Sequence, residues 1–166
     1  MRFVSSALRP GLLRVLLIGL VGMATALAQQ QPREVLFVCE HGNVKSLIAA
    51  TLFNQEARKR GMSIHSTARG IHPEAEVPVN IANALKNDGG DVSQFRPQAL
   101  AQSDLSGARR VIAIGVDLAQ FKIGESQLID RWTDIPAASI DYAASRAALL
   151  RHIDSLLTEL QSDGAE

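Results

Sequence analysis

The chain has 166 residues, with 17 Lys and Arg against 17 Asp and Glu and 46% hydrophobic residues. That size and apolar share suit one globular domain with its own core, and they exclude a disordered or repetitive chain. The charge balance gives no reason to expect nucleic acid or an anionic membrane surface as a partner.

In chain order, Arg2, Arg9 and Arg14 make a basic start, and Val15 to Ala28 follows as a run with only Thr25 polar. Ala26-Leu27-Ala28 has the small-x-small pattern of a signal-peptidase site, so residues 1–28 read as a secretory signal peptide cleaved after Ala28, with 29–33 as a short polar linker. The protein is then expected to be secreted or periplasmic, with no stable membrane span after cleavage. Without residues 1–28, 14 basic residues face 17 acidic ones, a formal charge of −3. Cys39 is the only cysteine, so no internal disulfide can form even in an oxidising compartment.

Glu34 to Val38 is apolar and β-prone enough for a central strand, and Glu40 to Val44 is a loop containing a Gly-Asn pair. From Ser46 the pattern turns helical, with Leu47, Ala50, Leu52, Phe53 and Ala57 on one face and Gly61 as the stop. Met62 to Ser66 is the next expected strand, and Thr67 to Pro78 a Gly- and Pro-rich connection. A helix over Val79 to Asn87, a strand over Arg109 to Ile114, a weaker strand over Ser126 to Arg131 and a helix from about Ile140 to Gln161 complete the pattern. Alternating strands and helices predict an α/β domain over 34–162, a three-layer sandwich whose four-stranded parallel sheet carries helices on both faces.

Ligands of such sheets bind at the carboxyl ends of the strands, where Cys39 is expected. The stretch Cys39 to Ser46 reads CEHGNVKS. A five-residue loop between a strand-end thiol and a helix start can curl so that its backbone N–H groups point inward, and the helix dipole adds to their pull on an anion. The same field favours the thiolate, the nucleophilic form of cysteine. Glu40, His41, Gly42, Asn43 and Val44 would then cradle a tetrahedral oxyanion such as phosphate, sulfate or arsenate. Lys45 would neutralise it, and Ser46 would hydrogen-bond the sulfur. Gly42 and Asn43 are expected to supply left-handed backbone. His65, His72 and His152 are too scattered to suggest a metal site, and no cofactor is implied.

Cys39, five intervening residues, a basic residue and Ser46 resemble the C-x5-R-[ST] loop of the low-molecular-weight protein tyrosine phosphatase family, and Cys39-Glu40-His41 looks most like its arsenate-reductase-type branch. Ser66, Arg96-Pro97 with Leu100, Val111 to Gly115, and Trp132 through Pro136 extend the resemblance along the domain. It implies a phosphotyrosine protein phosphatase I-like fold. It also implies attack by Cys39 on phosphorus or arsenic, oxyanion binding by residue 45, thiolate stabilisation by Ser46, and a late-loop Asp that protonates the leaving oxygen.

Two departures stand out. The loop arginine is Lys45, a point charge on a flexible stem rather than a planar fork. The late loop reads Trp132-Thr133-Asp134-Ile135-Pro136-Ala137-Ala138, so one inserted residue would put Ala137 at the acid position. Asp134 is the nearest candidate acid, with a loop or capping carboxylate as its alternative reading, and Asp130 and Asp141 flank it. Three functions stay open: a hydrolase of phosphotyrosine or small aryl phosphates through a cysteinyl-phosphate, an arsenate reductase using an external thiol, and a non-catalytic oxyanion binder. No cysteine follows the third strand, so an arsenate reductase could not relay oxidation internally.

Overall fold

The computed structural model describes residues 34–163. The expected signal peptide (1–28) and linker (29–33) lie outside the described residues. The elements run β1 (Glu34–Cys39), α1 (Lys45–Lys59), β2 (His65–Gly70), α2 (Val79–Asn87), α3 (Gln102–Gly107), β3 (Arg110–Ile114), β4 (Ile129–Trp132) and α4 (Tyr142–Ser162). The four strands form one parallel sheet in the order β2-β1-β3-β4.

Side-chain alternation divides the core into two layers. Val35, Phe37 and Cys39 of β1, with Ile112 and Ile114 of β3, face α1, α2 and α4; Leu36, Val38, Val111 and Ala113 face the side of Leu105 in α3 and Leu118. Both faces of the central strands are therefore covered, which is why they read as continuous apolar runs. Phe37 is fully buried and packs edge-on against Phe53 at 5.7 Å and against Trp132 at 5.6 Å. Burial of a ring of this size stabilises the fold by about 2–3 kcal/mol.

α2 spans the residues expected of it. β2 lies further along than the sequence pattern suggests: it starts at His65 and runs through Gly70, pairing with β1 from Glu34↔His65 to Cys39↔Gly70. Its buried positions are Ser66, Ala68 and Gly70, small residues that carry little hydrophobic signal. β4 similarly reaches Trp132 rather than stopping at Arg131. The six-residue α3, with Leu105 as its one buried residue, was not anticipated.

The order places β1 at the turning point of the sheet. The chain leaves β1 through α1 toward β2 on one side, then returns to β3 on the other. Loops after β1 and β3 consequently diverge and open a crevice at their carboxyl ends.

Candidate functional site

The crevice holds a cavity of about 230 Å³ lined by Cys39, His41, Lys45, Gly115, Ala137 and Ser139 among others. Cys39 ends β1 and is 5% exposed. Its Sγ lies 3.1 Å from Ser46 Oγ and accepts from the Ser46 backbone N–H at 3.4 Å. The hydroxyl and the amide of Ser46 thus both converge on the sulfur at the start of α1. α1 opens without a side-chain cap, and of its first-turn N–H groups that of Ser46 is given to the Cys39 sulfur.

The loop between Cys39 and Lys45 is zipped to the segment after β2. Ile71, His72 and Glu74 donate backbone N–H bonds to the carbonyls of Cys39, Glu40 and His41 at 3.0, 2.8 and 3.2 Å. In a trans peptide the carbonyl and the following N–H point in opposite directions. The N–H groups of Glu40, His41 and Gly42 therefore turn away from that segment, and Glu40 and His41 line the cavity, which suits the loop to an oxyanion. Gly42 has φ +69°, and a Cβ on it would meet the backbone N of Gly70 at 2.7 Å. Glycine at both positions lets the loop sit directly on the end of β2.

Asn43 differs from expectation. No non-glycine residue among those described has positive φ, so Gly42 alone makes the left-handed turn. Asn43 is instead fully buried, donating from Nδ2 to Glu74 Oε2 at 2.7 Å and to the Glu76 carbonyl at 2.8 Å. It pins the loop from behind. Two exposed pairs add to the zipper: His72 Nδ1 meets Glu40 Oε1 at 2.8 Å, and His41 Nδ1 lies 3.3 Å from the His72 carbonyl and 3.8 Å from Glu74 Oε1.

Lys45 lines the cavity beside Gly115, where a Cβ would lie 4.0 Å from Nζ. Its Nζ donates to the carbonyl of Ile135 at 2.8 Å, tying the loop after β4 down over the thiol. Ile135 and Ala138 are buried, and the residues this loop turns toward the cavity are Ala137, Ala138 and Ser139.

Asp134 is not brought to the site. His152 of α4 stacks on Trp132 at 4.7 Å, and its Nε2 holds the two Asp134 carboxylate oxygens at 2.8 and 3.0 Å. That hydrogen bond, outweighing a slight burial effect, keeps the Asp134 carboxyl below the usual carboxylate range. The flanking carboxylates are also engaged: Asp141 caps α4 through the Ala144 N–H at 2.8 Å, and Asp130 lies 3.5 Å from Arg110. Cys39, Lys45, Ser46 and Glu40 to Val44 thus converge, whereas Asp134 does not. Sequence reading missed Gly70, Glu74, Glu76 and the Ile135 carbonyl, all of which act through backbone or from behind the loop. Only Gly70, a glycine at a strand end, left a local trace.

The family model described as low molecular weight phosphotyrosine protein phosphatase matches residues 34–123. Among solved structures, the chain is similar to the low molecular weight protein tyrosine phosphatase from T. tengcongensis, with 23% identity and TM-score 0.67 over 76% of this chain and 98% of that one. It resembles the thioredoxin-dependent arsenate reductase of Corynebacterium glutamicum at 21% identity and TM-score 0.68, covering 81% of this chain and 65% of that one. It also resembles the arginine phosphatase of Geobacillus stearothermophilus at 22% identity and TM-score 0.64, covering 80% and 95%. At these identities the likeness is one of fold. No curated protein sequence matches the chain.

Proposed function

Because the chain belongs to the low molecular weight phosphotyrosine protein phosphatase family, we propose that it hydrolyses phosphoric monoesters through a cysteinyl-phosphate on Cys39. The observation that carries this reading is the convergence of Ser46 Oγ and N–H on Cys39 Sγ, in a loop whose carbonyls are tied to the segment after β2 and whose residues line the cavity. A phosphoryl group resting on that loop puts phosphorus in line with the sulfur. An ammonium has three donors. With one given to the Ile135 carbonyl, Lys45 keeps two for the equatorial oxygens, fewer and less directed than a guanidinium fork supplies. Turnover should accordingly be slow.

A second reading has one supporting fact, the arsenate reductases among the structures of this fold. Arsenate has the shape and charge of phosphate and would occupy the same cradle. With Cys39 as the sole cysteine, an external thiol would have to complete the reduction. The basic start and apolar run of residues 1–28 support export as the setting.

The test is p-nitrophenyl phosphate turnover by wild type, Cys39→Ser and Lys45→Arg. Cys39→Ser should abolish it and Lys45→Arg should raise it roughly tenfold or more, since one preorganised oxyanion donor is worth about 10²–10³ in rate. Phosphate binding by calorimetry with turnover at background in all three proteins would instead identify a non-catalytic oxyanion binder.

A further inference from the structure

The wall of the cavity formed by the loop after β4 carries no proton donor fit for a leaving group. Ala137 and Ala138 present methyl groups, and Ser139 a hydroxyl that yields no proton at neutral pH. The loop is held in that disposition: Ile135 and Ala138 are buried, and Lys45 Nζ grips the Ile135 carbonyl at 2.8 Å. The neighbouring carboxylates Asp130, Asp134 and Asp141 are engaged with Arg110, His152 and the first turn of α4. Glu40 is the one carboxylate among the lining residues, but it is adjacent to Cys39 in the same loop, which also carries the lining His41, whose Nδ1 lies 3.3 Å from the His72 carbonyl. In-line displacement puts the leaving oxygen on the far side of phosphorus from the sulfur, so both stand on the wrong side to protonate it.

From this geometry, and resting on the phosphatase reading above, we infer that the site is built for phosphates whose leaving group departs as a stable anion. These are acyl phosphates, the mixed anhydrides of carboxylic and phosphoric acids, and aryl phosphates of strongly acidic phenols. A carboxylate leaving group has a conjugate acid near pKa 4, whereas the phenolate of tyrosine needs about 10. The first requires no proton in the transition state, and the second does.

The chemistry balances without an acid. The Cys39 thiolate attacks phosphorus, the S–P bond forms, and the P–O bond of the acyl phosphate breaks with its electron pair leaving on the carboxylate. Water then attacks the cysteinyl-phosphate. The S–P bond breaks, sulfur leaves as thiolate, and both protons of the water stay on the product, dihydrogen phosphate.

The experiment measures kcat/KM, which reports the steps up to phosphorylation of Cys39, for acetyl phosphate, 2,4-dinitrophenyl phosphate, p-nitrophenyl phosphate and phenyl phosphate. A general acid contributes about 10²–10⁴ in rate, so kcat/KM should fall by that factor from dinitrophenyl to phenyl phosphate, with acetyl phosphate among the fast substrates. Ala137→Asp should raise the ratio of phenyl phosphate to dinitrophenyl phosphate kcat/KM by about the same factor. A wild-type series flat to within about tenfold would overturn the inference and leave the phosphatase reading standing. Absence of turnover with every substrate, dinitrophenyl phosphate included, would remove both. A folded Ala137→Asp protein with an unaltered ratio would overturn the placement of residue 137 across from the sulfur; if that variant does not fold, the wild-type series decides alone.

Discussion

Replacing Gly70 by Ala tests whether the amide cradle depends on its seat against β2. A Cβ at this position would stand 2.7 Å from the Gly42 N and 2.7 Å from the His41 carbonyl carbon, both backbone atoms with no rotamer in which to retreat. Ordinary contact begins near 3.4 Å, so the loop must back away by about 0.7 Å. The route of retreat stretches the bonds from Ile71, His72 and Glu74 to the loop carbonyls. Overpacking of this kind costs about 1–3 kcal/mol, and displacing reacting groups by the better part of an ångström costs on the order of 10² in rate. The control is Gly61→Ala. Gly61 has φ +65° and nothing within 4 Å of an added Cβ, so that change strains only the backbone, at about 1–2 kcal/mol. Circular-dichroism melts should therefore show similar losses of stability in the two variants. Turnover of an aryl phosphate should fall about 10²-fold in Gly70→Ala and stay at the wild-type level in Gly61→Ala. A folded Gly70→Ala protein within a few-fold of wild type, or equal losses of activity in both variants, would refute the reasoning.

Two titrations probe the surroundings of the site. Tyr142 is the only tyrosine, and burial, followed by its hydrogen bond to Asp88 at 2.7 Å and the charge of that carboxylate, raises its phenol well above the ordinary value. Its contribution to stability is fully present below about pH 10 and is lost as pH rises toward the higher folded value. Ultraviolet titration should show no phenolate at pH 10–11 in the native protein, and the midpoint should move down in Asp88→Asn; an ordinary midpoint in wild type would contradict the buried pairing. For Asp134 the sign is reversed. His152 holds its carboxyl below the ordinary value of 3.8, so the pair contributes above that pH and the contribution fades as pH falls below it. Carbon-detected NMR should show the Asp134 midpoint rising toward 3.8 in His152→Ala, and an unmoved midpoint would mean that another group holds the carboxylate.

The parts of the site legible in the sequence were those written into contiguous residues. β1 announces itself because burial on both faces makes an unbroken apolar run, and the Cys39-to-Ser46 spacing is fixed by the need to turn from that strand into α1 within five residues. β2 was misplaced because its buried side consists of Ser66, Ala68 and Gly70, which pack by being small. Asp134 drew notice from its distance to Trp132 along the chain, but its partner is His152, 18 residues later. Only the docking of α4, with the imidazole stacked on Trp132, could reveal that competition. Glu74 escaped notice for the same reason: it acts on Asn43 from 31 residues away.

The two departures from the family pattern, a lysine for the arginine and alanine where the acid would stand, are far apart in sequence but joined in the structure by one hydrogen bond. Lys45 donates to the Ile135 carbonyl, two residues before Ala137 in the loop that lines the cavity together with Lys45 and Cys39. A guanidinium committed bidentately to an anion has its fork occupied, whereas an ammonium can divide its three donors between the anion and a loop. The covering loop is then held at two points, by Lys45 on the Ile135 carbonyl and by His152 on Asp134. Its cavity-lining Ala137 and Ala138 offer no acid, and a proton donor is what a substrate with an anionic leaving group does not require. A weaker grip on the oxyanion and a cover without an acid thus meet at the single charge at position 45.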